Sequence, residues 1–207
     1  MNTHNKLTYT ITHHIGPDVT QRGIGTIIGA CVGDALGAPF EFGPAGRFSE
    51  RFPTALLGRQ TEMVGGGAFD WAPGEFTDDS QMMLALAESL LATGALDLDD
   101  VWSRFVAWRS QATDCGTTTA MALAHDDRHE AAAAAHAHGG RTASNGALMR
   151  TWAIALAFVA HSTDEVMQAA RTQAGLTHFD PVAGWAAAIG TELCRRAILG
   201  ADPIEQI

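Results

Sequence analysis

The sequence predicts an all-α domain, and three observations carry this prediction. The chain has 207 residues, of which 46% are hydrophobic, and this is enough for one domain with a substantial core. From residue 78 onward, apolar residues recur with the period of helices, and capping residues or glycines mark the ends of these stretches. Only residues 7–11 show the alternation of a strand. We expect a single domain with no internal boundary.

Residues 1–22 are expected to form a tail or an edge segment, in which residues 7–11 could add one strand. The helical domain is predicted to span residues 23–207. Its first helix has a glycine at every fourth position, so another backbone can approach one face closely. Asp34 lies within this apolar stretch, and we therefore expect a buried helix and no membrane span. Pro39 ends the helix, since the residue before a proline disfavours helical geometry. The glycines are Gly25, Gly29, Gly33 and Gly37.

Residues 42–76 are rich in glycine and proline, and we expect one long ordered loop of the kind that commonly carries function. The remainder should be a series of helices. The last of them starts at Asp180 and Pro181, an N-cap followed by a proline at the first helical position. The predicted helices cover about 78–93, 98–111, 117–126, 128–137, 146–161, 163–174 and 181–199.

Composition excludes several classes of function. The formal net charge of -10 argues against binding to nucleic acid or to anionic membranes, which needs lysine and arginine to neutralise phosphates. The three cysteines, Cys31, Cys115 and Cys194, are far apart and suggest neither a disulfide framework nor a zinc ribbon. We expect a protein of the reducing cytoplasm.

An acidic pentapeptide, residues 77–81, precedes a helical apolar run. It places Thr77, Asp78 and Asp79 side by side, and clustered oxygen ligands of this kind suit Mg²⁺ or Mn²⁺. A threonine N-cap followed by first-turn acids also satisfies free backbone N–H groups and the helix dipole. Taken alone, the pentapeptide is more typical of a helix cap than of a metal site.

A second motif changes this balance. Residues 29–41 place Asp34 inside a glycine-rich apolar helix and end on Glu41. A buried carboxylate must find hydrogen-bond donors or a cation, and we expect Asp34 to cap backbone N–H groups or to support the site from behind. Glu41 lies past Pro39 at the start of the long loop, where it could contact a ligand or remain an exposed carboxylate.

These two motifs, together with two later ones, resemble the ADP-ribosylglycohydrolase family. The family pattern runs G-A-x-x-G-D-A-x-G-x-P-x-E, then T-D-D-[ST]-Q, then a Gly/Ser-Asn-Gly loop, then T-H-x-x-P. The third motif is found here at residues 140–150 and the fourth at residues 177–181. The resemblance covers nearly the whole chain from Gly23 and implies a compact multi-helix orthogonal bundle.

The resemblance implies a metal-dependent hydrolase that removes ADP-ribose from modified proteins or small molecules. Such a site would hold Mg²⁺ or Mn²⁺, two ions when complete, on Thr77, Asp78 and Asp79. Glu41 and Asp79 would be catalytic, with Glu41 moving a proton or orienting water. The residues implied to bind ADP-ribose are Gly116, Ser144, Asn145, Gly146, Met149 and His178.

Family members close the metal site with a late Asp-x-Asp-[Thr/Ser] motif, and this sequence reaches Ile207 without one. We therefore expect a C-terminally truncated fold that lacks part of the metal shell. Two other interpretations remain open, namely a noncatalytic ADP-ribose-binding or scaffold protein of the same fold and an inactive fragment. In either case exposed apolar surface could promote self-association.

Overall fold

A computed structural model describes residues 7–8, 16–53 and 63–201. Within these ranges the chain is helical apart from two short strands and the connecting loops. The strands are β1 (Leu7–Thr8) and β2 (Ala95–Leu96). The α-helices are α1 (Pro17–Gly37), α2 (Arg47–Arg51), α3 (Asp78–Thr93), α4 (Leu98–Arg109), α5 (Thr117–Leu123), α6 (Arg128–Gly139), α7 (Trp152–Ala157), α8 (Thr163–Ala174) and α9 (Pro181–Leu199), with 3-10 helices at Ala38–Phe40 and Asn145–Ala147.

The predicted all-α class is confirmed, and most helix ends lie where local chemistry places them. Asp180 accepts the N–H of Val182 and thereby caps α9. Gly94 and Gly200 end α3 and α9 in the left-handed conformation, which glycine adopts without steric cost. These signals involve neighbours in the sequence, and they are therefore visible in the sequence itself.

The predicted edge strand is present in part. Leu7 and Thr8 pair antiparallel with Leu96 and Ala95, whereas residues 9–11 lie outside the described residues. The first helix starts at Pro17, earlier than the expected Gly23, because a proline at the first helical position has its backbone already set for a helix. The helical part of the chain therefore extends into the segment expected to be a tail.

The expected long loop at residues 42–76 is partly ordered by short-range contacts. It contains the five-residue helix α2 and a bridge between Gly66 and Trp71, and residues 54–62 lie outside the described residues. Gly67 has φ +81, and a Cβ there would lie 2.8 Å from Pro39 Cα. A glycine at this position lets the loop pack directly on the end of the first helix.

The predicted helix at about residues 146–161 is confirmed only over Trp152–Ala157. The chain instead forms the 3-10 helix at residues 145–147, turns, and only then α7. The Asn145 carbonyl accepts the N–H groups of both Leu148 and Met149, and Arg150 is directed into the interior. An apolar pattern cannot reveal this break, because it comes from contacts that Arg150 makes with distant residues.

The core is centred on α3, which packs against α1, α4 and α7. Met82, Met83 and Leu86 of α3 are completely buried, as is Phe105 of α4. Helices α8 and α9 are in close contact, and α9 also packs on α1 and α7. This arrangement fixes the N-terminal end of α3 beside the end of α1.

The expectation that the glycine-rich first helix is buried is also wrong for the part of the chain that the structure describes. Only Gly23 and Ala35 of α1 are buried, and Ile24, Ile28 and Val32 are 48%, 56% and 38% exposed. A Cβ placed on any of the four regularly spaced glycines would meet no atom within 4 Å. No described element packs on that face.

Residues 17–40 are long and apolar enough to cross a membrane by length and composition, with 22% of the most apolar window buried. The sequence led us to expect no such segment. Core helices of soluble proteins and signal sequences meet the same criterion, so length and composition assign no location to this helix.

Candidate active site

The N-terminal end of α3 is held by a carboxylate from α1. Asp34 Oδ2 accepts the N–H of Thr77 at 2.9 Å, the N–H of Ser80 at 3.1 Å and the Ser80 hydroxyl at 2.7 Å. Asp34 Oδ1 accepts the Thr77 hydroxyl at 2.9 Å. Four donors therefore satisfy Asp34, which has the capping and supporting position expected from the sequence.

The same contacts orient the neighbouring carboxylates. The Thr77 hydroxyl, which donates to Asp34, also lies 3.5 Å from Asp79 Oδ2, and its oxygen accepts the N–H of Asp79 at 3.4 Å. Asp78 is buried and accepts the N–H of Gly116 at 3.2 Å. Thr77, Asp78 and Asp79 thus present oxygen atoms from one helix end in different directions.

Several carboxylates lie close enough to repel one another. Burial, together with the charges of Asp78, Asp34 and Glu41, raises the pKa of Asp79 to about 7. Burial also raises the pKa of Glu41, with Asp114, Asp78 and Asp34 adding to the shift. The pKa of Asp114 is raised by burial and by Asp78. This concentration of negative charge favours a bound cation.

Residues from distant parts of the chain line one cavity of about 320 Å³. The structure brings together two of the expected metal ligands, the expected catalytic glutamate and most of the expected ADP-ribose contacts. The predicted residues that line it are Glu41, Asp78, Asp79, Gly116, Ser144, Asn145, Gly146 and Met149. A second groove of about 790 Å³ shares Glu41 and Asp79 and adds Thr77, and it runs along the glycine face of α1.

The turn at residues 144–146 forms a wall of the smaller cavity because of a close approach. Gly146 is buried, and a Cβ there would lie 2.9 Å from His178 Cε1 and 2.9 Å from Thr119 Oγ1. Only glycine allows the turn to lie against both side chains. Ser144 and Asn145 remain exposed on the cavity side.

His178 lies behind this wall. The resemblance suggested that it stacks on adenine or contacts the diphosphate, but the ring is 3% exposed. Its Nε2 lies 2.8 Å from Ser144 Oγ and its Nδ1 lies 2.8 Å from Thr177 Oγ1. In this structure both ring nitrogens are engaged by protein, and His178 supports Ser144 from the interior.

Similarity to known proteins establishes the family of this chain. The family model described as ADP-ribosylglycohydrolase matches residues 16–207, a range that includes every residue of the cavity. The chain belongs to the ADP-ribosylglycohydrolase family. The resemblance inferred from the four motifs is thereby confirmed.

Named relatives share a substantial part of the sequence. The chain is 36% identical over 168 residues to the ADP-ribosyl-[dinitrogen reductase] glycohydrolase of Rhodospirillum rubrum, covering 81% of this chain and 54% of that protein. It is 34% identical over 134 residues to an ADP-ribosylarginine hydrolase of Serratia proteamaculans, covering 61% and 34% of the two chains. The chain thus spans about half the length of the first relative and about a third of the second.

A solved structure shows the same fold. The "ADP-ribosylglycohydrolase-related protein complex" superposes with a TM-score of 0.69 at 34% sequence identity, over 89% of this chain and 58% of that one. The all-α architecture is therefore that of the ADP-ribosylglycohydrolase family.

The oxygen atoms at the N-terminal end of α3 are of the chemical type that binds a hard dication. The oxygens of Thr77, Asp78 and Asp79 are of the kind that Mg²⁺ and Mn²⁺ prefer. Within residues 16–53 and 63–201, however, no three His, Cys, Asp or Glu side chains are grouped closely enough to hold an ion by themselves. A hard dication at this position would therefore need further oxygen ligands besides those of Thr77, Asp78 and Asp79.

Six residues that line the cavity were not assigned from the sequence, namely Phe42, Asp114, Thr117, Thr118, Thr119 and Arg141. Asp114 lies two residues before Gly116, which the resemblance implied to contact ADP-ribose. Phe42 is 73% exposed and has φ 60, a conformation that is rare for an aromatic residue and typical of functional sites. No pattern in the sequence indicated this strained aromatic residue beside Glu41.

Proposed function

We propose that this chain binds ADP-ribose in the cavity at the N-terminal end of α3 and takes part in hydrolysing the bond between ADP-ribose and a protein side chain. The observation that carries this proposal is that Glu41, Asp78 and Asp79 line the same cavity as the Ser144–Gly146 turn. Acidic groups suited to the chemistry therefore lie beside hydroxyl and amide groups suited to the ligand.

The proposed reaction adds water across the bond at C1 of the distal ribose. The hydroxyl of water bonds to C1, the bond from C1 to the leaving group breaks, and a proton reaches the leaving group. Mg²⁺ or Mn²⁺ held by Thr77, Asp78 and Asp79 would lower the pKa of a bound water and orient the ribose hydroxyls. Glu41, whose pKa is raised by burial and by neighbouring carboxylates, is suited to accept or deliver the proton.

We propose arginine as the leaving group. The four carboxylates of the cavity, Glu41, Asp78, Asp79 and Asp114, outnumber its one cationic side chain, Arg141. A guanidinium group is complementary to this negative balance of charge, whereas a serine hydroxyl is not. One relative is named as an ADP-ribosylarginine hydrolase, which supports the same choice.

The test measures ADP-ribose released from arginine-modified and serine-modified proteins, with Mg²⁺, with Mn²⁺ and with a chelator. We expect release from the arginine-modified protein that depends on the metal and is lost in the Asp78→Asn, Asp79→Asn double variant. Release that is unaffected by the chelator and by the double variant would contradict the proposal. An unrelated exposed aspartate, Asp126, provides the matched Asp126→Asn control.

A second candidate is a noncatalytic ADP-ribose-binding protein. It is favoured by the finding that the described residues do not by themselves form a closed group of metal ligands. Calorimetric titration with ADP-ribose separates the two functions: binding without any metal-dependent release supports the binding protein, and release supports the hydrolase.

A further inference from the structure

A buried arginine begins a chain of hydrogen bonds that reaches the cavity. Arg150 is completely buried, and no ion pair to it is found among the described residues. Its Nε donates to Gln173 Oε1 at 2.9 Å, and its Nη2 donates to the Gln173 carbonyl at 3.2 Å and to Thr177 Oγ1 at 2.9 Å. The guanidinium lies 4.7 Å from the Phe105 ring centroid, and burial lowers the pKa of Arg150 to about 9, so it remains charged at neutral pH.

The orientation of Gln173 is fixed independently. Its Nε2 donates to the Ala147 carbonyl at 2.9 Å, which leaves its Oε1 to accept from Arg150. An arginine side chain has only donors. Every group that contacts the polar edge of Arg150 must therefore accept a hydrogen bond, and this includes the hydroxyl of Thr177.

The Thr177 hydroxyl has only one hydrogen to donate, and this determines how it contacts its two neighbours. In the described part of the chain, Thr177 Oγ1 has two hydrogen-bond partners, Arg150 Nη2 and His178 Nδ1. The first donates to Thr177, so the one hydroxyl hydrogen of Thr177 is available for Nδ1. If Nδ1 carried its own hydrogen, the fully buried Thr177 hydroxyl would lose its acceptor, and a buried donor without an acceptor destabilises the fold.

The state of the His178 ring then determines what Ser144 can do. A ring that accepts at Nδ1 and is uncharged carries its hydrogen on Nε2, and Nε2 faces Ser144 Oγ at 2.8 Å. Burial and the charge of Arg150 lower the pKa of His178 to about 3, so the ring is neutral at physiological pH. Ser144 therefore accepts from His178, and its own hydrogen is free to point into the cavity.

We propose that Arg150 and Thr177 are positioning residues: through the Nε2–H tautomer of His178 they make the Ser144 hydroxyl a hydrogen-bond donor to an acceptor oxygen of the ligand. In ADP-ribose the oxygens of this class are those of the diphosphate and the ribose. The identity of the ligand rests on the proposed function, whereas the hydrogen-bond chain rests only on the protein.

The tautomer is measured directly on the ligand-free protein by ¹⁵N NMR of the histidine rings, with the His178 signals assigned by their loss in His178→Asn. We expect hydrogen on Nε2 in the unsubstituted protein and in Thr177→Ser, which keeps the hydroxyl. In Thr177→Val, which has nearly the same shape but no hydroxyl, we expect a mixture of tautomers. Hydrogen on Nδ1 in the unsubstituted protein, or an unchanged tautomer in Thr177→Val, overturns the inference.

Binding of ADP-ribose tests the step from His178 to the ligand. Ser144→Ala should weaken binding by roughly 10- to 100-fold, the value of one hydrogen bond to a charged group. Thr177→Val should weaken ADP-ribose binding by up to the same factor, whereas Thr177→Ser should bind ADP-ribose as tightly as the unsubstituted protein. If Thr177 acts through Ser144, the variant that combines Ser144→Ala with Thr177→Val loses no more ADP-ribose affinity than Ser144→Ala alone. If the two fold-losses in affinity multiply in the combined variant, the inference is overturned.

The two proposals can fail separately. Absence of any ADP-ribose binding by the unsubstituted protein contradicts the proposed function, and the NMR measurement still decides the hydrogen-bond chain. Because replacement of the completely buried Arg150 is expected to destabilise the fold, the test relies on the Thr177 pair, and denaturant unfolding of each variant verifies that it is folded.

Discussion

The carboxylate of Asp34 accepts both the backbone N–H and the hydroxyl of Thr77, across 43 residues of sequence. Through these bonds α1 holds the N-terminal end of α3, from which Asp78 and Asp79 project. The positions of Asp78 and Asp79 in the acidic cavity therefore depend on Asp34, a residue outside the pentapeptide at residues 77–81.

The first prediction concerns this contact. Asp34→Ala removes the acceptor of four hydrogen bonds at Thr77 and Ser80, and should lower the free energy of unfolding by about 2–3 kcal/mol, a sum of lost capping and charge-assisted bonds. Urea unfolding measures it. The exposed Asp126→Asn should change the free energy by less than about 0.5 kcal/mol. An unchanged midpoint in Asp34→Ala would show that the contact contributes nothing.

A second prediction concerns divalent ions. Asp78→Asn with Asp79→Asn should abolish binding of Mg²⁺ and Mn²⁺ in calorimetric titrations, since an amide oxygen is a much weaker ligand for a hard cation than a carboxylate. The fold should be little affected, because first-turn acids contribute only about 0.3–1 kcal/mol each and the substitution also removes mutual repulsion. Binding that persists in the double variant would rule out these ligands.

Glu41 provides a kinetic prediction. Glu41→Gln keeps the size of the side chain but removes the proton-transferring group, so turnover should fall by about 10²–10⁴-fold while ADP-ribose affinity stays within a few-fold. Steady-state release of ADP-ribose and calorimetric binding measure the two quantities. Glu50→Gln, on the exposed helix α2, is the matched control. Near-normal turnover in Glu41→Gln would remove Glu41 from the mechanism.

Glu192 gives a prediction for pH. Burial alone would raise the pKa of Glu192, but hydrogen bonds from Arg195, Arg196 and Thr163 outweigh it and lower the pKa from 4.5 to about 2. A carboxyl whose folded pKa is depressed stabilises the protein above its unfolded pKa and loses this contribution as pH falls. Unfolding experiments should therefore show a loss of stability between pH 4.5 and about 2.

The loss should be smaller in Glu192→Gln, which has no carboxyl to protonate, and unchanged in the exposed Glu130→Gln. An identical pH profile for Glu192→Gln and the unsubstituted protein would contradict the assignment to the Glu192 network.

The exposed face of α1 leads to a prediction about self-association, which we propose occurs through Ile24, Ile28 and Val32. Ile24→Gln with Ile28→Gln should weaken association by roughly tenfold or more, because burying each isoleucine is worth about 1.5–3 kcal/mol. Sedimentation velocity over a concentration series measures it. Leu91, a still more exposed apolar residue on α3 at 77% exposure, provides the control, and Leu91→Gln should leave association unchanged. A chain that is monomeric throughout would contradict this proposal.

By itself the sequence determined the helical class, most helix ends and the family. Helical periodicity, the Asp180 cap and the glycines that end helices all depend on residues within a few positions of one another. They can therefore be recognised in the sequence alone. The acidic pentapeptide and the Ser144–Gly146 turn were likewise found as short motifs. Tertiary structure alone decided how these motifs act together.

Contacts between residues far apart in the sequence explain two differences from expectation. His178 was expected to face the ligand, but it lies behind Ser144, 34 residues away in sequence, because Gly146 lets the turn close over the ring. The predicted helix at residues 146–161 breaks because Arg150 is drawn inward to Gln173 and Thr177. An apolar period records only which residues prefer the interior. Which buried donor meets which acceptor is decided when helices far apart in sequence pack together, since only then does each buried polar group find the partner that offsets its lost hydration.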